Sequence, residues 1–237
     1  MIRRDSRSTT VLLAVLALAL CLVPTLFAAP LKALHPPQTA RIVEGVSAGG
    51  LSIGDTYPDM LALWGKADSC DSGNDGHNHE VVGCNWYEAR QGLVRTGVGT
   101  LQVILAPPSK YGVPTKATKV TFIRLWDLKD TPGYRWKPVL TGWKTTASVG
   151  LRSTLAAVQK AYGSRLHTVP QPDPLPAGYF PTSYVVTKRS GKRWVTSFTF
   201  DRGHSGGPLK VHDIAIESYT AFAMEYAVFV KLYGPLK

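Results

Sequence analysis

The sequence predicts an α+β fold of two tandem repeats, each a short helix followed by an antiparallel β-sheet. A helical pattern recurs without a gap at an offset of 98 residues, between 51–66 and 149–164. Runs rich in β-branched and aromatic residues follow each copy, and Gly, Pro and Ser punctuate the boundaries.

From the N-terminus, residues 1–29 read as a signal peptide or, if uncut, an N-terminal anchor. Arg3, Arg4 and Arg7 give a positive start, and "VLLAVLALALCLV" (11–23) is an apolar run short for a bilayer. Ala28 and Ala29 offer the cut. Residues 30–47 read as a linker, 48–135 as the first repeat unit and 136–237 as the second. The leader carries three arginines and one aspartate, so its removal lowers the formal charge from +11 to +9. That basicity suits an acidic partner, another protein or an anionic cell-envelope polymer, and equally a solvated surface with no partner. No nucleic acid is expected, because an exported chain without a binding motif for it has no use for one. A membrane enters only through an uncut leader. The expected location is secreted, at the cell-envelope exterior or in the periplasm.

The first unit opens with "LSIGDTYPDMLALWGK", the second with "VGLRSTLAAVQKAYGS". Asp55 and Ser153 suit the N-cap, since their side-chain oxygens can accept from orphan amides. Met60, Leu61 and Trp64, like Leu155, Val158 and Tyr162, recur at helical spacing, and Gly65 and Gly163 suit the left-handed stop. Pro58 is tolerable in a first turn. "CNWYEA", "TLQVILA" and "KVTFIRLW" follow as strands in the first unit; "SYVVTKR", "RWVTSFTF" and "KVHDIAIE" follow in the second. The proline-rich stretch 167–184 reads as an extended loop, and "AFAMEYAVFVKLYG" as a final core element.

Cys21 lies in the leader, so Cys70 and Cys84 remain as an even pair across a short loop. In an oxidising compartment that reads as a disulfide. Two metal thiolates are the alternative and would need two more ligands. The same loop gathers Asp75, His77 and His79, which offers a second metal alternative against a plain solvated loop. No cofactor is expected.

"DRGHSGGPL" raises a catalytic alternative. Its Gly203–Pro208 segment is similar to the stretch around the nucleophile of chymotrypsin-like proteases, which would make Ser205 a nucleophile with His204 or His79 as its base. "RIVEG" (41–45) resembles the N-terminus such enzymes expose. The connecting chemistry differs, because Gly83 rather than a histidine precedes Cys84 and His204 stands where that family has an aspartate. Ser205 also falls where the first unit has an ordinary hairpin loop, and Gly206 and Gly207 suit a turn. Adjacent His212 and Asp213 face opposite sides of a strand and form no dyad by adjacency.

"SIGDTYPDMLALWG", "KADSC", the polar loop to Cys84 and "NWYEA" together resemble the β-lactamase-inhibitor-protein-like fold, shared with the SmpA/OmlA outer-membrane lipoproteins. The likeness covers roughly residues 48–230, although the second unit lacks cysteines. It implies that both sheets form one continuous curved surface that grips another protein through exposed aromatics. The candidates are Trp86, Tyr87, Trp126, Tyr134, Trp136 and Trp143, with Arg124 and Arg135 beside them; core packing is the competing use of each aromatic. The expected function is an exported, non-enzymatic protein-binding or scaffold module.

Overall fold

The computed structural model describes residues 35–74, 80–86, 90–91, 94–95, 101–106, 113–127, 140–169, 180–202, 207–224 and 227. Strands β1 (Thr39–Val43), β2 (Ser47–Ala48) and β3 (Leu51–Ser52) precede helix α1 (Tyr57–Trp64). Strands β4 (Ser69–Asn74), β5 (Glu80–Trp86), β6 (Arg90–Gln91), β7 (Val94–Arg95), β8 (Leu101–Ala106) and β9 (Lys119–Trp126) come next. After β10 (Gly142–Thr145) and α2 (Leu155–Tyr162) the chain forms β11 (His167–Thr168), β12 (Thr182–Arg189), β13 (Lys192–Asp201) and β14 (Lys210–Ser218). The class is α+β, dominated by strands.

Eight strands make one antiparallel sheet in the order β11–β12–β13–β14–β9–β8–β5–β4. Each helix is therefore followed by an antiparallel meander, and the meanders meet through their last strands, β9 and β14. Ile216 lies opposite Ile123, and Ala215 opposite Arg124. A four-stranded sheet, β10–β1–β2–β3, stands beside it, with β1 and β10 parallel. Its β1 corrects the expected linker over 30–47: Thr39–Val43 is a strand, and Ile42 is fully buried. Among the described residues no helix is long and apolar enough to cross a membrane.

The helices start one residue later than their sequences suggest. Thr56 and Thr154, not Asp55 and Ser153, are the N-caps, accepting from Asp59 N–H at 3.4 Å and Ala157 N–H at 3.2 Å. Asp55 and Ser153 are used one turn earlier, where they accept from Ser52 N–H at 2.7 Å and Gly150 N–H at 3.0 Å. Asp59 returns a bond by accepting from Thr56 N–H at 2.9 Å, completing a capping box that α2 lacks.

Each helix is tied to the first residues of its last strand. Gly54 N–H donates to Val120 O at 2.8 Å, and Val120 N–H donates back to Asp55 O at 2.8 Å. The corresponding bonds run from Arg152 N–H to Val211 O at 2.7 Å and from Val211 N–H to Ser153 O at 2.8 Å. Both last strands also bulge next to this tie, where Thr121 is skipped against β8 and His212 against β13.

One face of the large sheet packs on the helices. Val82, Cys84 and Trp86, then Leu101, Val103 and Leu105, then Ile123 and Leu125 alternate into this core, joined by Phe198, Ile214 and Ile216. Met60 and Trp64 of α1 and Val158 and Tyr162 of α2 close it from the other side. Each such side chain contributes roughly 1.5–3 kcal/mol by leaving water. Trp64 sits edge-on to Trp86 at 5.4 Å and to Trp143 at 5.8 Å. Trp86 and Trp143 are thus core residues, wholly buried, which corrects their assignment to a binding surface.

Candidate functional site

The opposite face of the sheet carries the other half of each alternating strand. Gln102, Ile104 and Ala106 of β8 lie there with Phe122, Arg124 and Trp126 of β9, all partly exposed. Across the seam between the meanders, β14 adds Asp213, Ala215 and Glu217, which lie opposite Trp126, Arg124 and Phe122. A cleft of about 690 Å³ opens along this seam. Ile104, Ala106, Phe122 and Val81 supply apolar wall, Gln102, Arg124 and Glu217 supply polar groups, and Ser218 and Ala221 close one side. Ser218 Oγ accepts from Ala221 N–H at 3.1 Å and so starts the helical turn at 219–224 that forms that side.

Arg124 is held in the cleft by an ion pair and by an aromatic ring. Its Nε donates to Asp213 Oδ2 at 2.6 Å, a second guanidinium nitrogen reaches the same oxygen, and the guanidinium lies 4.2 Å over the Trp126 ring. Asp213 is buried while Arg124 remains 38% exposed, so the carboxylate anchors the arginine from below. Burial pushes the Asp213 carboxyl above its usual range, against the opposing pull of Arg124 and, more weakly, His212. Its Oδ1 is buried without a hydrogen-bond partner. His212, the bulge residue next in sequence, packs near the Phe180 ring at 5.7 Å.

The sequence-derived candidates divide into three groups. Arg124 and Trp126 are brought together on the open face. Trp86 and Trp143 are removed to the core. Tyr87, Tyr134, Arg135 and Trp136 lie outside the described residues, as do Ser205, His204, His79, His77 and Asp75 of the catalytic and metal alternatives. Cys70 and Cys84 form the expected disulfide, with an S–S distance of 2.03 Å, directly opposite each other on β4 and β5. A thiolate pair for metal is thereby corrected, because both sulfurs are consumed in the bond. Among the described residues, no group of three or more His, Cys, Asp or Glu is placed to hold a metal ion.

Asp213, Glu217, Phe122, Ile104 and Gln102 were not legible as site residues. The available signal was strand alternation: in "LQVILA", Gln102 and Ile104 have the parity opposite to Leu101, Val103 and Leu105. An aspartate inside the apolar "KVHDIAIE" was a second signal, since a buried carboxylate needs a cation nearby.

Together, fold and site define an α+β protein whose sheet buries one face and leaves a partly apolar, arginine-bearing cleft on the other. No family model, curated protein or solved structure matches the chain.

Proposed function

We propose that the protein is an exported, non-enzymatic binding module built from two copies of one unit, which grips a protein partner along the open seam of its sheet. The single observation that carries this reading is the cleft of about 690 Å³ along β8, β9 and β14, with Arg124 held over Trp126 at its edge. Its size falls in the range of sites that enclose a ligand group, and arginine and tryptophan are among the residue types that most often anchor an interface. Arg124 is pre-ordered by Asp213, so a partner meets a side chain that has already lost its rotamer freedom.

Two further observations support the rest of the reading. The twofold recurrence of cap, helix-to-strand tie and bulge supports a duplicated unit and the β-lactamase-inhibitor-protein-like arrangement. The Cys70–Cys84 bond supports an oxidising compartment, and with it export.

Site-specific photo-crosslinking tests the surface. A benzoylphenylalanine at Gln102, in the cleft, is expected to yield one discrete protein adduct in the native medium, and the same group at exposed Gln159 of α2 none. Equal adducts at both positions, or none at Gln102, contradict the assignment.

A further inference from the structure

A second surface borders the cleft at Trp194, on the hairpin that joins β12 to β13. Its two turn residues, Ser190 and Gly191, both have positive φ, +50° and +73°, so the strands are connected by the tightest hairpin loop available. On either side stand Lys188, Arg189, Lys192 and Arg193, all exposed. The register sets Lys188 directly opposite Arg193 and Arg189 directly opposite Lys192.

Directly opposed like charges weaken a strand pair, so this arrangement works against the hairpin that displays it. Among the described residues the ion pairs Arg124–Asp213 and Arg152–Asp127 lie elsewhere, and none neutralises these four cations. Arg193 is instead steadied by the Tyr219 ring, 3.8 Å from its guanidinium carbon. Charges on an edge strand can serve to discourage edge-to-edge pairing. At the tip both strands are open edges, since β11 pairs only with Ser183 and Tyr184 of β12 and β14 meets β13 only from Trp194 onward, so edge protection accounts for charge on each strand but not for like charges set directly opposite each other. In the connection between β5 and β8 of the first meander, the backbone register sets Arg90 opposite Arg95 and Gln91 opposite Val94.

We propose that the β12–β13 hairpin is a binding site for a linear polyanion with a phosphate in each repeat. Lysine and arginine are the two phosphate-binding side chains, and four of them on a rigid two-residue turn form a preset array of donors. Alternation sends Lys188 and Arg193 to one face of the hairpin and Arg189 and Lys192 to the other. A flexible chain can follow both faces around the tip, which a flat bilayer does not do. Ser190 and Gly191 at the tip offer no apolar side chain to enter a membrane.

The test uses the whole protein with soluble inorganic polyphosphate, phosphatidylglycerol vesicles and neutral dextran as probes. Polyphosphate is expected to bind with a log–log salt slope of magnitude about 3, as four screened contacts on a single chain would give. The double variant Lys188→Glu/Lys192→Glu turns both opposed pairs into opposite-charge pairs. It is expected to bind polyphosphate at least about tenfold more weakly while melting roughly 1–3 °C higher. A purely structural role for these lysines would not give weaker binding together with higher stability. The milder Lys188→Gln/Lys192→Gln variant is expected to weaken binding in the same direction, and a cleft variant, Phe122→Ala, to leave it unchanged. Wild-type affinity in both lysine variants, or binding to vesicles alone, overturns the proposal.

Discussion

The two halves of the molecule tie helix to sheet with the same backbone bonds, yet they finish their outer edges differently. In the first half, the outermost strand β4 is six residues long and is cross-linked to β5 by Cys70–Cys84. In the second, the outermost strand β11 has two residues, His167 and Thr168, and no cross-link. The inner ties differ in residue but not in geometry: Gly54 takes φ +95° where Arg152 takes +67°. Glycine adopts that conformation freely, whereas arginine is strained in it. Arg152 is held by its side chain, which donates from Nε to Asp127 Oδ2 at 2.6 Å. Backbone hydrogen bonds thus define the shared frame, and side chains are free to differ wherever another contact holds the same backbone.

The largest break in this likeness should come from the disulfide. Replacing both Cys70 and Cys84 by serine is expected to cost about 3 kcal/mol in urea unfolding, because only the first half has a short closed loop to release. Hydrogen exchange should then speed up in β4 and β5 while β12 and β13 keep their protection. Equal loosening of both halves would mean that the cross-link supports the whole sheet rather than one edge.

A smaller contrast lies in the helix caps. Thr56 takes part in a reciprocal box with Asp59, and Thr154 makes a single capping bond. Thr56→Ala is therefore expected to cost more than Thr154→Ala, each on the order of 1 kcal/mol, in thermal unfolding. The reverse order would show that α2 depends on its cap more than α1 does.

The seam between the halves titrates. Burial raises the Asp213 carboxyl above its unfolded value, so its contribution is fully present below about pH 3.8 and is lost as pH rises through the folded value. Against Asp213→Asn, the wild type should hold its best relative stability near pH 4 and lose ground towards pH 7, as measured by chemical denaturation. A difference that stays flat with pH would place the carboxyl in a solvated setting.

Much of this frame was readable in the sequence, because apolar spacing and punctuation act locally. Met60 with Trp64 and Val158 with Tyr162 fixed the buried stripe of each helix, and the described residues of the six apolar strand runs lie in strands. Strand β4 carries no such pattern, because its "SCDSGN" lies at an edge, where strands need no apolar face. The β1–β10 pairing joins Ile42 to Thr145, and no local pattern announces a partner that far along the chain. The caps fall one residue beyond the sequence expectation because Asp55 and Thr56 are both competent. The choice was made by the preceding turn, whose Ser52 amide claims Asp55.

The candidate site was less legible than the fold. Trp86 and Trp126 are both strand tryptophans, yet Trp86 shares a face with Cys84 and Val82 while Trp126 shares one with Arg124. Parity separates them, and the bulge at Thr121 resets the parity halfway along β9. Counting alternate residues from Val120 therefore assigns Phe122 and Trp126 to the wrong face.

Whether this chain binds or catalyses is tested most directly by exposing the purified, disulfide-intact protein to a fluorophosphonate serine probe, with Ser205→Ala alongside. A binding module of the kind proposed remains unlabelled in both forms. Labelling of the wild type that disappears in Ser205→Ala would contradict it and place a serine hydrolase in the "GHSGGP" segment.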